Sequence, residues 1–156
     1  MSEQIKHECG IVVMRLLKPL EYYKEKYGSV FYGLNKLYLL MEKQHNRGQD
    51  GAGALCLKVD LEPGYKYINR RRSAASNPII DVFDQMYGTT NDILAQNPNK
   101  IDDVAWCKQN LPFLGELYMG HLRYGTFGRN NVEFVHPVMR LNNWRSRTLV
   151  MGGNFN

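Results

Sequence analysis

The change in apolar spacing between residues 9–17 and residues 30–41 is the feature that most constrains how this chain folds. Residues 9–17 form a short apolar run rich in Ile and Val, which predicts a buried strand. Over residues 30–41 the apolar residues recur every three or four positions, which predicts an amphipathic helix of about four turns. Ser29 is placed to cap the start of this helix, and Gly48 lies where a glycine can follow its end. The chain must therefore pack a helix face against a sheet.

The remaining segments add strands and short helices in an irregular order. Four of them have the apolar content and turn-like borders of strands. These are residues 51–59, 65–70, 116–124 and 147–151. Two helices are predicted at residues 78–87 and 101–110, whereas the charged stretch 18–28 is predicted to be a connection. This order favours an α+β fold, with helices on an antiparallel or mixed sheet, over an open parallel sheet.

The composition excludes several classes of protein. With 156 residues, 44% hydrophobic and 22% charged, the chain has the balance of one globular domain. Three cysteines do not form a disulfide framework, which favours a reducing, cytoplasmic compartment. No apolar run approaches the roughly 20 residues that span a bilayer, so no membrane partner is expected. No cysteine pair has the spacing of a zinc site, so no metal is expected in this segment.

Two of the three cysteines lack surroundings that suggest chemistry. Most free cysteines pack as small apolar residues, and we interpret Cys56 and Cys107 in this way. Cys9 differs because it opens the first strand and is followed by Gly10. Taken alone, Cys9 is still more typical of a buried structural residue than of a nucleophile.

A polar, glycine-rich cluster lies between the first helix and the second strand, at residues 44–53. A tight loop needs its glycines, but it does not need Arg47 and Asp50 as well. The cluster lacks the spacing of a phosphate-binding loop. It is therefore a candidate functional site, but its spacing does not indicate nucleotide binding.

The third candidate region is residues 120–128. Strand alternation places His121 and Arg123 on one face, with Leu122 and Tyr124 on the other. Arg123, beside a glycine-rich turn, is placed for bidentate binding of a carboxylate, with a surface salt bridge as the alternative. His121 taken alone is more typical of a structural histidine than of a general base. The basic run at residues 70–72 is predicted to be a solvated loop rather than a phosphate site.

Four segments, taken in order, resemble the class II glutamine amidotransferase domain. They are Cys9-Gly10-Ile11-Val12; Arg47-Gly48-Gln49-Asp50 with Gly53; residues 120–128; and Gly153-Asn154. The second segment looks most like the amidophosphoribosyltransferase branch of that family. Residues 63–114 carry none of these motifs. The resemblance implies the N-terminal-nucleophile hydrolase fold, an αββα sandwich with mostly antiparallel sheets.

The resemblance also implies a reaction. Cys9 would become the N-terminal residue, its thiol would attack the side-chain amide of glutamine, and its own α-amine would act as general base. Ammonia would pass to a phosphoribosyltransferase domain, which would use phosphoribosyl pyrophosphate to make phosphoribosylamine in purine synthesis. That domain would hold Mg²⁺ and, in some relatives, an iron–sulfur cluster, whereas this segment would need no cofactor. The full-length enzyme is expected to be a homo-oligomer.

Nine further residues receive roles from the same resemblance. They are Arg123, Tyr124 and Thr126 for binding glutamine; Gly152, Gly153 and Asn154 for the oxyanion; and Arg47, Asp50 and His121 as support.

The chain departs from the family pattern at three places. Residues 1–8 precede Cys9, so we expect them to be a propeptide that is removed, leaving a glutaminase domain over residues 9–156. Gly152 stands where the family has an asparagine that donates to the oxyanion, a loss typically costing about 2.7–4 kcal/mol. His45-Asn46-Arg47 carries one residue more than the family's His-Arg-Gly. We further expect the domain to be truncated on its C-terminal side and poorly active by itself.

Three alternatives follow from these departures and from the charge. The site is degenerate and the domain is structural or regulatory, or it is the glutaminase domain of another amidotransferase. The third is a basic domain that binds nucleic acid, suggested by the net charge of +5 and residues 70–72. We expect no nucleic-acid partner, because the basic run has no interleaved aromatic residues.

Overall fold

The computed structural model describes residues 8–126, 128 and 131–154. Apart from short 3₁₀ turns, these residues form four helices and six strands. The helices are α1 (Leu20–Tyr27), α2 (Tyr32–Glu42), α3 (Pro78–Gln96) and α4 (Val104–Asn110). The strands are β1 (Gly10–Arg15), β2 (Gly51–Leu57), β3 (Ile68–Ser73), β4 (Leu117–Arg123), β5 (Val138–Arg140) and β6 (Leu149–Met151).

Two antiparallel sheets organise these elements, and the α+β class is confirmed. The larger sheet has the strand order β1-β4-β2-β3, and the smaller one pairs β5 with β6. Antiparallel pairing brings the starts of β1 and β2 to the end of β4. In the register of the sheet, Gly10 lies opposite Leu122, and Gly51 lies opposite Arg123. Three of the candidate segments therefore meet at one corner of the sheet.

The helices α2 and α3 cover one face of the larger sheet, and most of the apolar core lies there. Leu37 and Met41 of α2 are fully buried against this face. A Cβ atom at Gly120 would lie 2.6 Å from the Met41 sulfur, so the glycine provides the space that α2 occupies. The periodicity over residues 30–41 therefore predicts the correct buried stripe.

The opposite face of the larger sheet, which we call the outer face, carries His121 and Arg123. Residues 133–137 lie across it, and a Cβ atom at Gly53 would overlap the carbonyl oxygen of His136. Only a glycine allows the two backbones to approach so closely. The outer face is therefore covered by chain near the site rather than by a helix.

The basic run at residues 70–72 holds this covering segment, which corrects its prediction as a solvated loop. It is part of β3, and its side chains are half-buried. Arg70 donates to the Pro137 carbonyl oxygen at 3.2 Å, and Arg72 donates to that of Val135 at 2.9 Å. Buried carbonyl groups need donors, and these arginines supply them because β3 lies beside residues 133–137.

Several predicted boundaries are also wrong. The segment 18–28 is not a mere connection but contains α1, which buries only Leu20 and therefore lacks an apolar stripe. Helix α3 continues to Gln96 through Gly88, a poor helix former, because its inner side packs on β2 and β3. Strand β3 begins later than predicted, at Ile68, and pairs antiparallel with β2.

The predicted ends of the first amphipathic helix also need correction. The Ser29 hydroxyl accepts a hydrogen bond from the Phe31 N–H at 3.1 Å, but α2 begins only at Tyr32. Gly48 is extended, with φ −154°, so it is not a left-handed helix end.

The first strand is buried on one face only, whereas the sequence predicts a fully buried strand. Val12 is buried under the helices, but Ile11 is 45% exposed and Val13 is 66% exposed on the outer face. β1 is an edge strand of the sheet, and these two side chains lack the cover that residues 133–137 give to β2 and β3.

Candidate functional site

Cys9 lies at the corner where β1 begins and β4 ends. Its Sγ atom accepts a hydrogen bond from the Tyr124 N–H at 3.4 Å, and its side chain is partly exposed. Gln44 flanks the same corner, because its Nε2 donates to the Ile11 carbonyl oxygen at 3.4 Å. A Cβ atom at Gly10 would lie 3.0 Å from Gln44 Oε1, which leaves little room for a side chain after Cys9.

The other two cysteines are buried, as predicted. Burial raises the pKa of the Cys56 thiol to about 12, and it also raises that of Cys107. A thiol becomes a good nucleophile only as the thiolate, so neither is suited to attack a substrate. Cys9 is therefore the one partly accessible thiol of the three.

Asp50 joins the glycine-rich cluster to the end of β4. Its carboxylate accepts a hydrogen bond from the Gly125 N–H at 2.8 Å, and its own N–H donates to the Arg123 carbonyl oxygen at 3.0 Å. A Cβ atom at Gly48 would lie 2.6 Å from the backbone carbon of Arg123. The glycine and the carboxylate therefore hold the turn after β4 against the loop before β2.

Arg47 faces the residue that precedes Cys9. Its guanidinium lies 3.5 Å from the Glu8 carboxylate, and both side chains are about half exposed. Such an exposed pair stabilises the fold by at most about 1 kcal/mol. Residues 1–7 of the expected propeptide lie outside the described residues.

Arg123 is 6% exposed, so it is not a surface side chain. Its Nη1 donates to the Gly128 carbonyl oxygen at 3.1 Å, and its guanidinium lies 5.6 Å from the centre of the Phe134 ring. These contacts hold the guanidinium on the outer face of the sheet, as the alternation of β4 predicts. A fixed guanidinium is well suited to recognise a planar carboxylate.

His121 lies two residues before Arg123 on the same face and is 1% exposed. Its Nε2 lies 3.0 Å from the Gly153 carbonyl oxygen. Burial lowers the pKa of His121 to about 4; the bond to Gly153 opposes this shift, while His136 and Arg123 reinforce it. The ring is therefore neutral at pH 7, with its proton on Nε2.

The predicted oxyanion segment follows β6 and reaches the outer face through Gly153. A Cβ atom at Gly152 would lie 2.8 Å from the terminal methyl carbon of Met119, so a larger residue requires Met119 to move. Asn154 follows directly and is exposed, as is Thr126 beyond the end of β4.

Sequence reasoning gave no role to three residues that shape the site. Gln44 lies in the candidate cluster 44–53, whereas Phe134 and His136 lie outside every candidate segment. His136 Nδ1 lies 3.1 Å from the same Gly153 oxygen, and its ring centre is 4.7 Å from that of His121. No spacing along the chain links these residues to β4. The crossing of residues 133–137 over the outer face brings Phe134 and His136 there, whereas Gln44 reaches the corner from the turn after α2.

The described residues contain no group of three or more His, Cys, Asp or Glu side chains arranged to hold a metal ion. Among the helices of the described chain, none has the length and apolarity to cross a membrane. Comparison with known proteins yields no family model, curated protein or solved structure that matches this chain.

Proposed function

We propose that this chain is a class II glutaminase domain with the N-terminal-nucleophile hydrolase fold. It would hydrolyse glutamine through Cys9. The observation that carries the proposal is the contact between Cys9 Sγ and the Tyr124 N–H. Through this contact, the partly accessible thiol lies beside the turn that follows Arg123. The Asp50 carboxylate holds the same turn by accepting a hydrogen bond from the Gly125 N–H.

The reaction begins once the Glu8–Cys9 bond has been cut, because only a free α-amine can accept a proton. Such an amine has a pKa near 8 and takes the thiol proton at neutral pH. The sulfur then forms a bond to the δ-carbon of glutamine, and the carbon–nitrogen bond breaks as the protonated amine returns a proton to the leaving ammonia. Water hydrolyses the thioester, releasing glutamate and restoring the thiol.

The surrounding residues bind the substrate in this proposal. Arg123 pairs with the α-carboxylate of glutamine, and Tyr124 and Thr126 line the same end of β4. Backbone N–H groups at Gly153 and Asn154 stabilise the oxyanion, since Gly152 has no side chain to donate. Arg123 is already oriented by Phe134 and Gly128, so little conformational entropy is lost when it binds a carboxylate.

Covalent labelling tests the proposal. The intact chain is incubated with a diazoketone or chloroketone analogue of glutamine, and tryptic peptides are examined by mass spectrometry. We expect label on Cys9, no label in Cys9→Ser, and normal labelling in the matched control Cys107→Ser. Because Cys107 is buried, label on it, or equal labelling of Cys9→Ser, would contradict the proposed nucleophile.

The same spectra show whether residues 1–8 are removed. Labelled protein should begin at Cys9, because the mechanism needs its free amine. Labelled protein that retains Met1 would overturn the role of the α-amine as base. A processed, folded chain that takes no label would instead favour the degenerate, structural domain.

The proposed acceptor is phosphoribosyl pyrophosphate, used by a separate phosphoribosyltransferase domain. Support for it comes from the Arg47-Gly48-Gln49-Asp50 form of the second motif. Transfer of ¹⁵N from amide-labelled glutamine to phosphoribosylamine by the full-length protein tests this step. Transfer to a different acceptor would assign the domain to another amidotransferase.

A further inference from the structure

Two histidines from different parts of the chain converge on one backbone carbonyl. His121 comes from β4, and His136 comes from the segment that crosses the outer face before β5. Their ring nitrogens lie 3.0 Å and 3.1 Å from the Gly153 oxygen. Both side chains are at least nine-tenths buried.

A carbonyl oxygen can only accept, so both imidazoles must act as donors. His121 donates from Nε2 and His136 from Nδ1, and the two rings therefore carry their protons on different atoms. His121 Nδ1 is buried and has no hydrogen-bond partner among the described residues. The bond to Gly153 is accordingly the polar contact that ties this ring to its surroundings.

The tautomer of His136 also decides what the Gly153 N–H does. That N–H lies 3.4 Å from His136 Nδ1, longer than the 3.1 Å contact with the carbonyl oxygen. When Nδ1 carries the proton, it donates to the oxygen and cannot accept from the N–H. The Gly153 N–H is then available to another acceptor.

Holding the Gly153 oxygen orients the next amide as well. In a planar trans peptide the carbonyl of Gly153 and the N–H of Asn154 point in opposite directions. Two neighbouring glycines, Gly152 and Gly153, have wide conformational freedom and do not fix this peptide by themselves. Two buried donors on one oxygen supply the restraint.

We propose that His121 and His136 are positioning residues that hold the Gly153 carbonyl and thereby direct the Asn154 N–H to the oxyanion. This inference rests on the proposed function, and it names a donor that can replace the side chain absent at Gly152. In this role, both imidazoles act through the Gly153 peptide rather than on the substrate itself. They orient the Asn154 N–H, a hydrogen-bond donor that lowers the barrier only because it binds the oxyanion in the transition state.

The two histidines should show opposite patterns of rescue. Gln places its amide nitrogen near the Nε2 position of histidine, whereas Asn places it near Nδ1. His121→Gln should therefore keep the bond that His121→Asn loses, while His136→Asn should keep the bond that His136→Gln loses. If the two histidines only filled space, Gln and Asn would not show opposite effects at the two positions.

Kinetics of glutamine hydrolysis by the processed, intact chain give the first measurement. In His121→Asn and His136→Gln we expect kcat to fall by about tenfold to a hundredfold, somewhat less than for loss of an oxyanion donor. The KM for glutamine should change by less than about threefold. His121→Gln and His136→Asn should lose much less. Equal kcat values within each pair would overturn the inference.

Amide hydrogen exchange at Gly153 and Asn154 separates this inference from the proposed function. Faster exchange in His121→Asn and His136→Gln, but not in His121→Gln and His136→Asn, supports the positioning role of the two histidines. This holds even if the wild-type chain takes no label at Cys9. Unchanged exchange in all four variants overturns the positioning role even if the wild-type chain hydrolyses glutamine. If His121→Asn fails to fold, the pair at His136, nearer the surface, decides in the same way.

Discussion

Acidification should destabilise the wild-type chain more than the variant His121→Gln. Histidine has a pKa of 6.5 when unperturbed, whereas burial lowers that of His121 to about 4. Between these values the unfolded chain binds a proton that the folded chain does not. The free energy of unfolding therefore falls as the pH falls below about 6.5, and the fall levels off below about 4.

The size of the effect follows from the two pKa values. Each tenfold difference in proton affinity corresponds to about 1.4 kcal/mol. Between pH 7.5 and pH 4.5, His121 should remove about 2–3 kcal/mol from the stability of the wild-type chain. Gln does not titrate and keeps a donor for the Gly153 oxygen, so the variant should lack this part of the loss. Carboxylates that titrate in the same range act equally in both proteins.

Urea unfolding followed by circular dichroism measures the difference. The free energy of unfolding is extrapolated to zero urea for both proteins at pH 7.5 and pH 4.5. The wild-type chain should lose about 2–3 kcal/mol more than His121→Gln over this range. Losses that agree within about 0.5 kcal/mol would show that His121 titrates normally and that its ring is not desolvated as the structure implies.

Three further predictions concern packing and charge. Gly88→Ala should raise the free energy of unfolding by about 0.5–1 kcal/mol, because it is helical and a Cβ atom there meets nothing within 4 Å. Gly53→Ala should lower the free energy of unfolding by about 1–3 kcal/mol, because its Cβ atom would overlap the His136 carbonyl oxygen. Urea midpoints that move in the same direction in Gly88→Ala and Gly53→Ala would contradict these two predictions. Glu116→Ala should cost on the order of 3 kcal/mol, because Glu116 is buried and lies 2.6 Å from Lys108. A thermal midpoint lowered by less than about 2 °C would show that this ion pair contributes little.

The fold was predictable where one face of an element is buried. The stripe of α2 has a clear apolar period, and the structure confirms it together with the predicted strands β2 and β4, of which β2 is buried on both faces. Helix α1 was not predictable, because only Leu20 is buried and stacked tyrosines, including Tyr27 on Tyr32, replace an apolar stripe. The position of residues 70–72 in a half-buried strand was not predictable, because charged residues are expected in solvent. In the folded chain Arg70 and Arg72 meet backbone carbonyls instead.

The site was predictable in part for the same physical reason. Alternation along β4 places His121 and Arg123 on one face, because successive side chains of a strand point to opposite sides. Gln44, Phe134 and His136 could not be found in this way. Phe134 and His136 depend on where residues 133–137 cross the sheet, and Gln44 depends on how the turn after α2 packs beside β1. Local spacing along the chain carries no information about either contact.

The amino-acid sequence was enough to predict the α+β class, the buried stripe of α2 and the candidate residues at the ends of β1 and β4. The class and the stripe follow from local periods, and the candidate residues follow from four ordered segments that resemble a known family. The tertiary structure alone decided that Cys9 meets the Tyr124 N–H and that two histidines share the Gly153 oxygen. Both contacts join segments far apart along the chain. Antiparallel pairing and the passage of residues 133–137 over Gly53 create them, and the local spacing of residues encodes neither.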